Sequence, residues 1–430
     1  MRILPILAGL AGAVVLAAVG VMAQQFLHDP GSEIAAVAVA DGARQVERGR
    51  YLAHASDCIG CHSTRGGAAY AGGRTIPTPF GELYSPNITA DATTGIGAWS
   101  ADDFWRALHN GKSRDGQFLY PAFPYTDYTK ISRADSDAMY AFFKTVAPVA
   151  QANRAPALRF PFNQRYLLAG WRALYFRPGV FQADPARSVQ WNRGAYLVQG
   201  PGHCNACHAN RNVVGATGNG ADLAGGLIPV LGWYAPSLTS NQESGLGDWA
   251  ARDVVDLLQT GVSNHGAVFG PMAEVVSDSL QYLTREDLGA MAVYLQSLPA
   301  TVPADGLDKA APLTGTELRR QQRGAALYRD QCVACHQADG RGAPPAYPPL
   351  AGNQAITTVS SINAIRMVLN GGYPPATAGN PRPYGMPPFG PALDDEDVAS
   401  VVTYIRSAWG NRAVPVSALE VRRYRAAPIE

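Results

Sequence analysis

Three segments of the chain share one pattern of polar and apolar positions. Ile131-Ser132 to Phe143, Leu283-Thr284 to Leu295 and Leu393-Asp394 to Ile405 align without gaps. Each opens on a short polar residue, Ser132, Thr284 or Asp394, of the kind that caps a helix N-terminus. Three residues on stand Asp135, Asp287 and Asp397, at the capping-box position and near the positive end of the helix dipole. Apolar positions then recur at helical spacing: Met139, Phe142 and Phe143; Met291, Val293 and Leu295; Val401, Val402 and Ile405. The pattern predicts three equivalent amphipathic helices.

Each of these helices closes a longer repeat. An Arg-Gly pair recurs far upstream of each, at Arg48-Gly49, Arg193-Gly194 and Arg323-Gly324, in a stretch that reads as a second helix. A glycine weakens a helix, so its recurrence at one register points to close approach of another helix there. The first two copies share more. Tyr84-Ser-Pro86-Asn-Ile-Thr89 leads to Trp99, and Tyr234-Ala-Pro236-Ser-Leu-Thr239 leads to Trp249. Helix-ending glycines follow at Gly111 and Gly261. The third copy lacks this block and carries a Pro/Gly-rich stretch, Pro344 to Pro391, expected as an irregular loop around a ligand. The repeats divide the chain into units over 40–150, 188–300 and 316–412. The linker at 151–187 holds Phe160, Phe162, Trp171, Tyr175 and Phe176, which is too aromatic for a free tether. It is expected to pack on a neighbouring domain, a partner subunit or a membrane surface. The tail at 413–430 holds Arg422, Arg423 and Arg425 and reads as a solvated end, with a docking helix as the alternative.

Residues 1–23 stand apart. Ile3 to Met22 is apolar behind a single Arg2 and is broken by Pro5, Gly9, Gly12 and Gly20. It reads as a signal peptide or a membrane anchor. Either way the remainder is exported, to the periplasmic side of a bacterial inner membrane.

Composition narrows the chemistry. The chain has 430 residues and is 47% apolar, enough to bury several cores. Its formal charge of +1 excludes a nucleic-acid binder. The six cysteines all lie in Cys58-Ile-Gly-Cys61-His62, Cys204-Asn-Ala-Cys207-His208 and Cys332-Val-Ala-Cys335-His336. That is the spacing of c-type haem attachment: two thiols add across the haem vinyl groups and the next His binds iron. Zinc would need two further ligands per site, and thioredoxin-like chemistry needs a βαβ pattern that is absent. Three covalently bound haem c groups are therefore expected, held by Cys58, Cys61, Cys204, Cys207, Cys332 and Cys335, with His62, His208 and His336 on iron.

The other axial ligand is commonly Met. Met272, in Phe269-Gly-Pro-Met-Ala, and Met386, in Tyr384-Gly-Met-Pro-Pro, precede the closing helices of copies two and three in Pro/Gly loops. Both are assigned to iron. Met139, Met291 and Met367 sit in helical patterns and read as core. Copy one has no Met at this register: Leu119-Tyr-Pro-Ala-Phe-Pro-Tyr125 places Ala122 or Phe123 there. The first haem is expected to be five-coordinate or bound by another group such as His54 or His109. His109 otherwise reads as a helix-surface residue.

These motifs, with Trp191-Asn-Arg-Gly-Ala-Tyr-Leu197 and Gly270-Pro-Met-Ala-Glu-Val-Val276, resemble the tri-haem cytochrome c subunit of bacterial membrane-bound alcohol, aldehyde and sugar dehydrogenases. The resemblance covers essentially the whole chain. It implies an all-α fold of three tandem class I cytochrome c-like domains behind the leader. It also implies a role: a separate catalytic subunit oxidises the substrate, and this chain passes electrons towards ubiquinone at the membrane surface. Family members paired with PQQ enzymes typically have Met where Phe123 stands. The Phe version is more similar to members paired with molybdenum-dependent aldehyde or heterocycle oxidoreductases, with PQQ or FAD partners still possible. No catalytic constellation is visible beside the haem motifs, so no substrate chemistry is expected of this chain. The rival readings are a self-contained haem enzyme, peroxidase-like or thiosulfate-oxidising, and a free carrier to a terminal oxidase.

Overall fold

Each repeat folds around a pair of packed helices, and the glycine of the Arg-Gly pair lies at the contact. The computed structural model describes residues 16, 19–29, 31, 34, 42–217, 222–241, 245–301 and 312–426. Most of the leader at 1–23 lies outside the described residues, as do 302–311 of the connector and 427–430 of the tail. Residues 19–27 are helical, and among the described residues no helix is long and apolar enough to cross a membrane.

The first unit contains α1 (Gly42–Ala55), α2 (Ala101–Asn110) and α3 (Arg133–Phe143). The second contains α4 (Val189–Gln199), α5 (Ala251–Thr260) and α6 (Arg285–Ser297). The third contains α7 (Gly315–Gln331), α8 (Ile362–Asn370) and α9 (Asp395–Ser407). In each, the opening helix packs most densely on the closing helix: α1 on α3, α4 on α6, α7 on α9. A Cβ built on Gly49 would overlap the Ala138 carbonyl; on Gly194, the Ala290 carbonyl; on Gly324, the Ser400 carbonyl. The glycine is thus the price of backbone-to-backbone contact, and it recurs because the contact recurs.

The neighbouring arginine clamps the same contact. Arg48 Nε donates to Asp135 Oδ1 at 2.6 Å, Arg193 Nε to Asp287 Oδ1 at 2.8 Å and Arg323 Nε to Asp397 Oδ1 at 2.7 Å. Ser132, Thr284 and Asp394 are the N-caps, accepting from the Asp135, Asp287 and Asp397 amides. The expected capping box is only half made, because these aspartates turn to the opening helix instead of back to their own N-cap.

Each pair has its own core. Leu52, Met139, Phe142 and Phe143 lie in the first, Leu197, Met291 and Leu295 in the second, Val401, Val402 and Ile405 in the third. One position departs from the expected stripe: Val293 is only half-buried, and Tyr294 takes the core place beside it. Gly111 and Gly261 end α2 and α5 in the left-handed conformation, as their spacing predicts. The helices are joined by short strands. Thr75–Thr78 pairs antiparallel with Gly81–Tyr84, which also pairs with Ala157–Leu158. Gly226–Ile228 pairs with Trp233–Ala235.

Three sequence expectations are corrected. The Pro/Gly stretch of the third copy is not wholly irregular, since it contains α8, whose buried face is Ile365, Val368 and Leu369. Met367 falls on the flank of that face, half-buried at a cavity wall and not in the core. The tail is not a solvated end: Ala418–Arg425 forms α10, with Val421 fully buried and Arg425 donating to Asp395 at 2.7 Å. The linker docks on the first unit through its strand and the helix Leu168–Tyr175, and Trp171 reaches the second unit at the Val214 carbonyl.

Two outcomes follow from the helix pairs. Gly194→Ala gains about 1 kcal/mol of helix propensity. The new methyl meets a backbone carbonyl that cannot rotate away, so overpacking should cost about 1–3 kcal/mol and win; denaturant unfolding of the variant should show a lower midpoint. The second outcome concerns pH. Burial pushes the Asp287 carboxyl up, but the Arg193 and Tyr51 hydrogen bonds outweigh it and hold the group below its ordinary value. A depressed folded-state value stabilises above the unfolded one, near pH 3.9, and that stability is lost as pH falls through the folded value. Asp287→Asn should therefore melt lower than the parent at neutral pH, with the gap closing below about pH 4.

Candidate functional site

The six thiols lie just beyond the opening helices. Cys58–His62 is a short helix after α1, Asn205–His208 follows Cys204 after α4, and Val333–His336 follows Cys332 after α7. None of the six cysteines is in a disulfide. Burial pushes the Cys204 thiol up to about 12 and the Cys332 thiol up to about 11. Such thiols are the reverse of the acidic thiolates of thioredoxin-like sites. Among the described residues no three His, Cys, Asp or Glu side chains converge on a point where a metal ion could sit. A zinc site would need that convergence.

All three motif histidines are oriented in one way. His62 Nδ1 lies 2.7 Å from the Pro86 carbonyl, His208 Nδ1 2.7 Å from the Pro236 carbonyl and His336 Nδ1 3.0 Å from the Pro348 carbonyl. A carbonyl only accepts, so Nδ1 carries the proton and Nε2 keeps its lone pair for a metal. Burial also lowers the pKa of all three rings, which favours the neutral form a metal needs. Pro86 and Pro236 are the prolines of the Tyr-x-Pro blocks, and this is what those blocks do. The third copy lacks the block as a whole but supplies the same carbonyl from Pro348.

A glycine completes each cradle. Gly72 N–H donates to the His62 carbonyl at 2.7 Å, Gly225 N–H to the His208 carbonyl at 2.9 Å and Gly342 N–H to the His336 carbonyl at 3.0 Å. All three have positive φ, at 77°, 89° and 61°. A Cβ on Gly72 would overlap Pro86; on Gly342 it would lie 2.7 Å from the Pro348 carbonyl oxygen. Sequence reasoning missed these residues. They stand ten, seventeen and six residues after the histidine, so no gapless repeat alignment can bring them together.

Cys204, Cys207 and His208 line one continuous cavity with Cys332, Cys335 and His336. Met272 and Met386 both line it as well. Met272 sits in the first turn of the helix Pro271–Asp278, behind Gly270 at φ 57°, where a Cβ would meet the Trp233 ring at 2.6 Å. Met386 is fixed by paired backbone bonds with Gly372, at 2.8 and 3.0 Å. The cavity is overwhelmingly apolar, lined by Val254, Leu257, Val268, Val368, Phe389 and their neighbours. Paired thiols, a histidine presenting Nε2 and an apolar slot with a thioether sulfur together fit a covalently bound haem.

The first unit differs. Phe123 packs half-buried on the core, with its ring 5.4 Å from that of Tyr128. Tyr128 is buried and donates to the Ser56 carbonyl at 2.7 Å, two residues before Cys58. His54 leaves its own unit: its Nδ1 lies 3.3 Å from the Asp278 carbonyl and its ring stacks on Tyr282. His109 is not the surface residue expected. It is buried, with Nδ1 3.0 Å from the Thr129 carbonyl and its ring stacked on Trp105 at 4.3 Å. The last turn of α2 turns this position inward, towards Gly31.

Known proteins resemble this chain over most of its length. The family model described as cytochrome c matches residues 46–147 and 321–409, within the first and third units. The alcohol dehydrogenase (quinone) cytochrome c subunit of Gluconobacter oxydans is 41% identical over 88% of this chain and 82% of its own length. The gluconate 2-dehydrogenase cytochrome c subunit of Pantoea cypripedii is 40% identical over 88% of this chain and 89% of its own length. A nicotinate dehydrogenase subunit of Pseudomonas putida is 45% identical over 85% of this chain, a stretch that makes up 30% of that larger protein. With matches of this identity running almost end to end, the chain belongs to the cytochrome c subunits of bacterial dehydrogenases, the family that includes those of alcohol and gluconate dehydrogenases.

Proposed function

We propose that this chain is the tri-haem electron-relay subunit of a membrane-bound periplasmic dehydrogenase complex. It takes electrons from a separate catalytic subunit and delivers them towards ubiquinone. The observation that carries the reading is the threefold cradle: two thiols and a histidine whose Nδ1 is held by a proline carbonyl, at His62, His208 and His336. When bound, haem c supplies one-electron redox chemistry. The protein's part is to fix the ring that binds iron, exclude water and choose the second axial ligand.

Met272 and Met386 are the second ligands of sites two and three. Among the described residues none takes that place at the first site. Phe123 stands at the Met register, the His54 ring stacks on Tyr282 of the second unit and the His109 ring stacks on Trp105. Loss of a thioether ligand lowers a haem's potential. The first site should therefore be the one of lowest potential and the one open to added ligands.

The partner is a catalytic dehydrogenase chain, as the names of the relatives suggest. Phe123 favours a molybdenum-dependent aldehyde or heterocycle oxidoreductase over a PQQ or FAD enzyme. The membrane-facing side is the linker. Phe160, Tyr166, Leu167 and Leu174 are exposed there, and Phe26, at the end of the N-terminal helical residues, packs on Phe118 at 4.6 Å close by. Arg165 ties that corner to the linker through the Phe118 carbonyl.

Three measurements test this. Carbon monoxide should bind one haem in three in the reduced protein, with two Met–iron signatures in magnetic circular dichroism; three such signatures, or no carbon monoxide complex, would sink the assignment. Met272→Ala and Met386→Ala should each add one carbon monoxide-binding haem and lower one midpoint potential. Purification from membranes should bring down a large dehydrogenase chain whose substrate reduces the haems. A lone chain that turns over peroxide or thiosulfate by itself would overturn the relay reading.

A further inference from the structure

The first and second units are joined by a reciprocal pair of tyrosines. Tyr51, on α1 of the first unit, donates to Asp287 Oδ2 of the second at 2.5 Å. Tyr196, on α4 of the second, donates to Asp135 Oδ2 of the first at 2.5 Å. Each hydroxyl also accepts the N-cap amide of the other unit's closing helix: Thr284 N–H to Tyr51 and Ser132 N–H to Tyr196, both at 3.3 Å. Each tyrosine therefore completes, from across the boundary, the capping box that the aspartate leaves half made. The two triads Arg48–Asp135–Tyr196 and Arg193–Asp287–Tyr51 are related as by a two-fold axis between the units.

The haem motifs lie beside this axis. Tyr51 and Tyr196 sit on the helices that lead into Cys58 and Cys204, ending at Ala55 and Gln199. Arg74 donates to the Gly60 carbonyl inside the first motif and to Glu274 of the second unit, both at 2.6 Å. Glu274 shares the short helix Pro271–Asp278 with Met272. On the other side, the Tyr128 ring lies 5.3 Å from that of His203, the residue before Cys204. The third unit has no such pin, because Ala326 stands where Tyr51 and Tyr196 stand, three residues after its arginine. It joins the second unit differently, through Asn363 bonded to both backbone groups of Tyr234 at 2.8 and 2.9 Å.

We propose that Tyr51 and Tyr196 are positioning residues that set the spacing and mutual orientation of the first and second haem sites. They thereby set the rate of electron transfer between those two sites. This rests on the three-haem reading above.

The test uses the intact complex carrying Tyr51→Phe, Tyr196→Phe or both. Haem stoichiometry is measured first; a parent with fewer than three haems would defeat the relay reading itself, separately from this proposal. Electron redistribution is then followed by pulse radiolysis. The phase between sites one and two should slow several-fold in the double variant and become heterogeneous, with the single variants in between. The phase between sites two and three serves as the internal control and should not change. If the variants melt lower but the first-to-second phase keeps the parent's rate, the tyrosines only stabilise and the proposal is wrong. Should the double variant fail to assemble, Tyr51→Phe alone keeps one pin and is read by the same criterion.

Discussion

The contact between opening and closing helices governs the rest of the structure. At Gly49, Gly194 and Gly324 the backbone of one helix lies against a carbonyl of the other, with no room for a methyl group. Close approach brings the Arg48, Arg193 and Arg323 guanidinium groups within bonding distance of the carboxylates that start the closing helices. The end of the opening helix, and so the start of each Cys-x-x-Cys-His motif, is then fixed in direction. Ion pairs whose guanidinium stays in contact with solvent are individually modest, near 0–1 kcal/mol. Their value here is geometric, because each acts on a contact already tightened by packing.

From that fixed start the three sites are built alike and used differently. A proline carbonyl sets the histidine tautomer and a positive-φ glycine lets the chain turn back close enough to supply it. The residue at the methionine register then varies with the segment before the closing helix. Glycines hold that segment in units two and three, at Gly270 just ahead of the helix that carries Met272 and at Gly371–Gly372 beside Met386. In the first unit, Phe123 and Tyr128 fill the corresponding space with aromatic core. A shared frame with the unequal ligation proposed above is a direct way to separate redox potentials within one chain.

The units are also joined unequally. Units one and two meet through mirrored polar triads, each bond reaching a buried aspartate. Units two and three meet around a shared apolar cavity lined by both motifs, with Asn363 bonded to both backbone groups of Tyr234. A polar bond has one optimal geometry, whereas apolar contact tolerates sliding. Both junctions have such bonds, four through Tyr51 and Tyr196 at the first and two through Asn363 at the second.

Much of this was legible before any coordinates. The repeat, the N-caps Ser132, Thr284 and Asp394, the glycine of close approach and the His-plus-two-Cys cradle all follow from local spacing, because a helix and a haem motif are each local in sequence. The roles of Tyr51 and Tyr196 were not legible, although their equivalence was, because their partners lie 236 and 61 residues away in another unit. Gly72, Gly225 and Gly342 escaped for a related reason: their spacing from the histidine differs in each copy, and only the folded loop brings them together. The burial of His109, the flanking place of Met367 and the docking of α10 were likewise decided by which neighbours arrived. Sequence by itself determined the repeat and the spacing of the Cys-x-x-Cys-His motifs, since those depend on residues a few positions apart. Tertiary structure alone decided how the units face one another, since that depends on contacts between residues far apart in the chain.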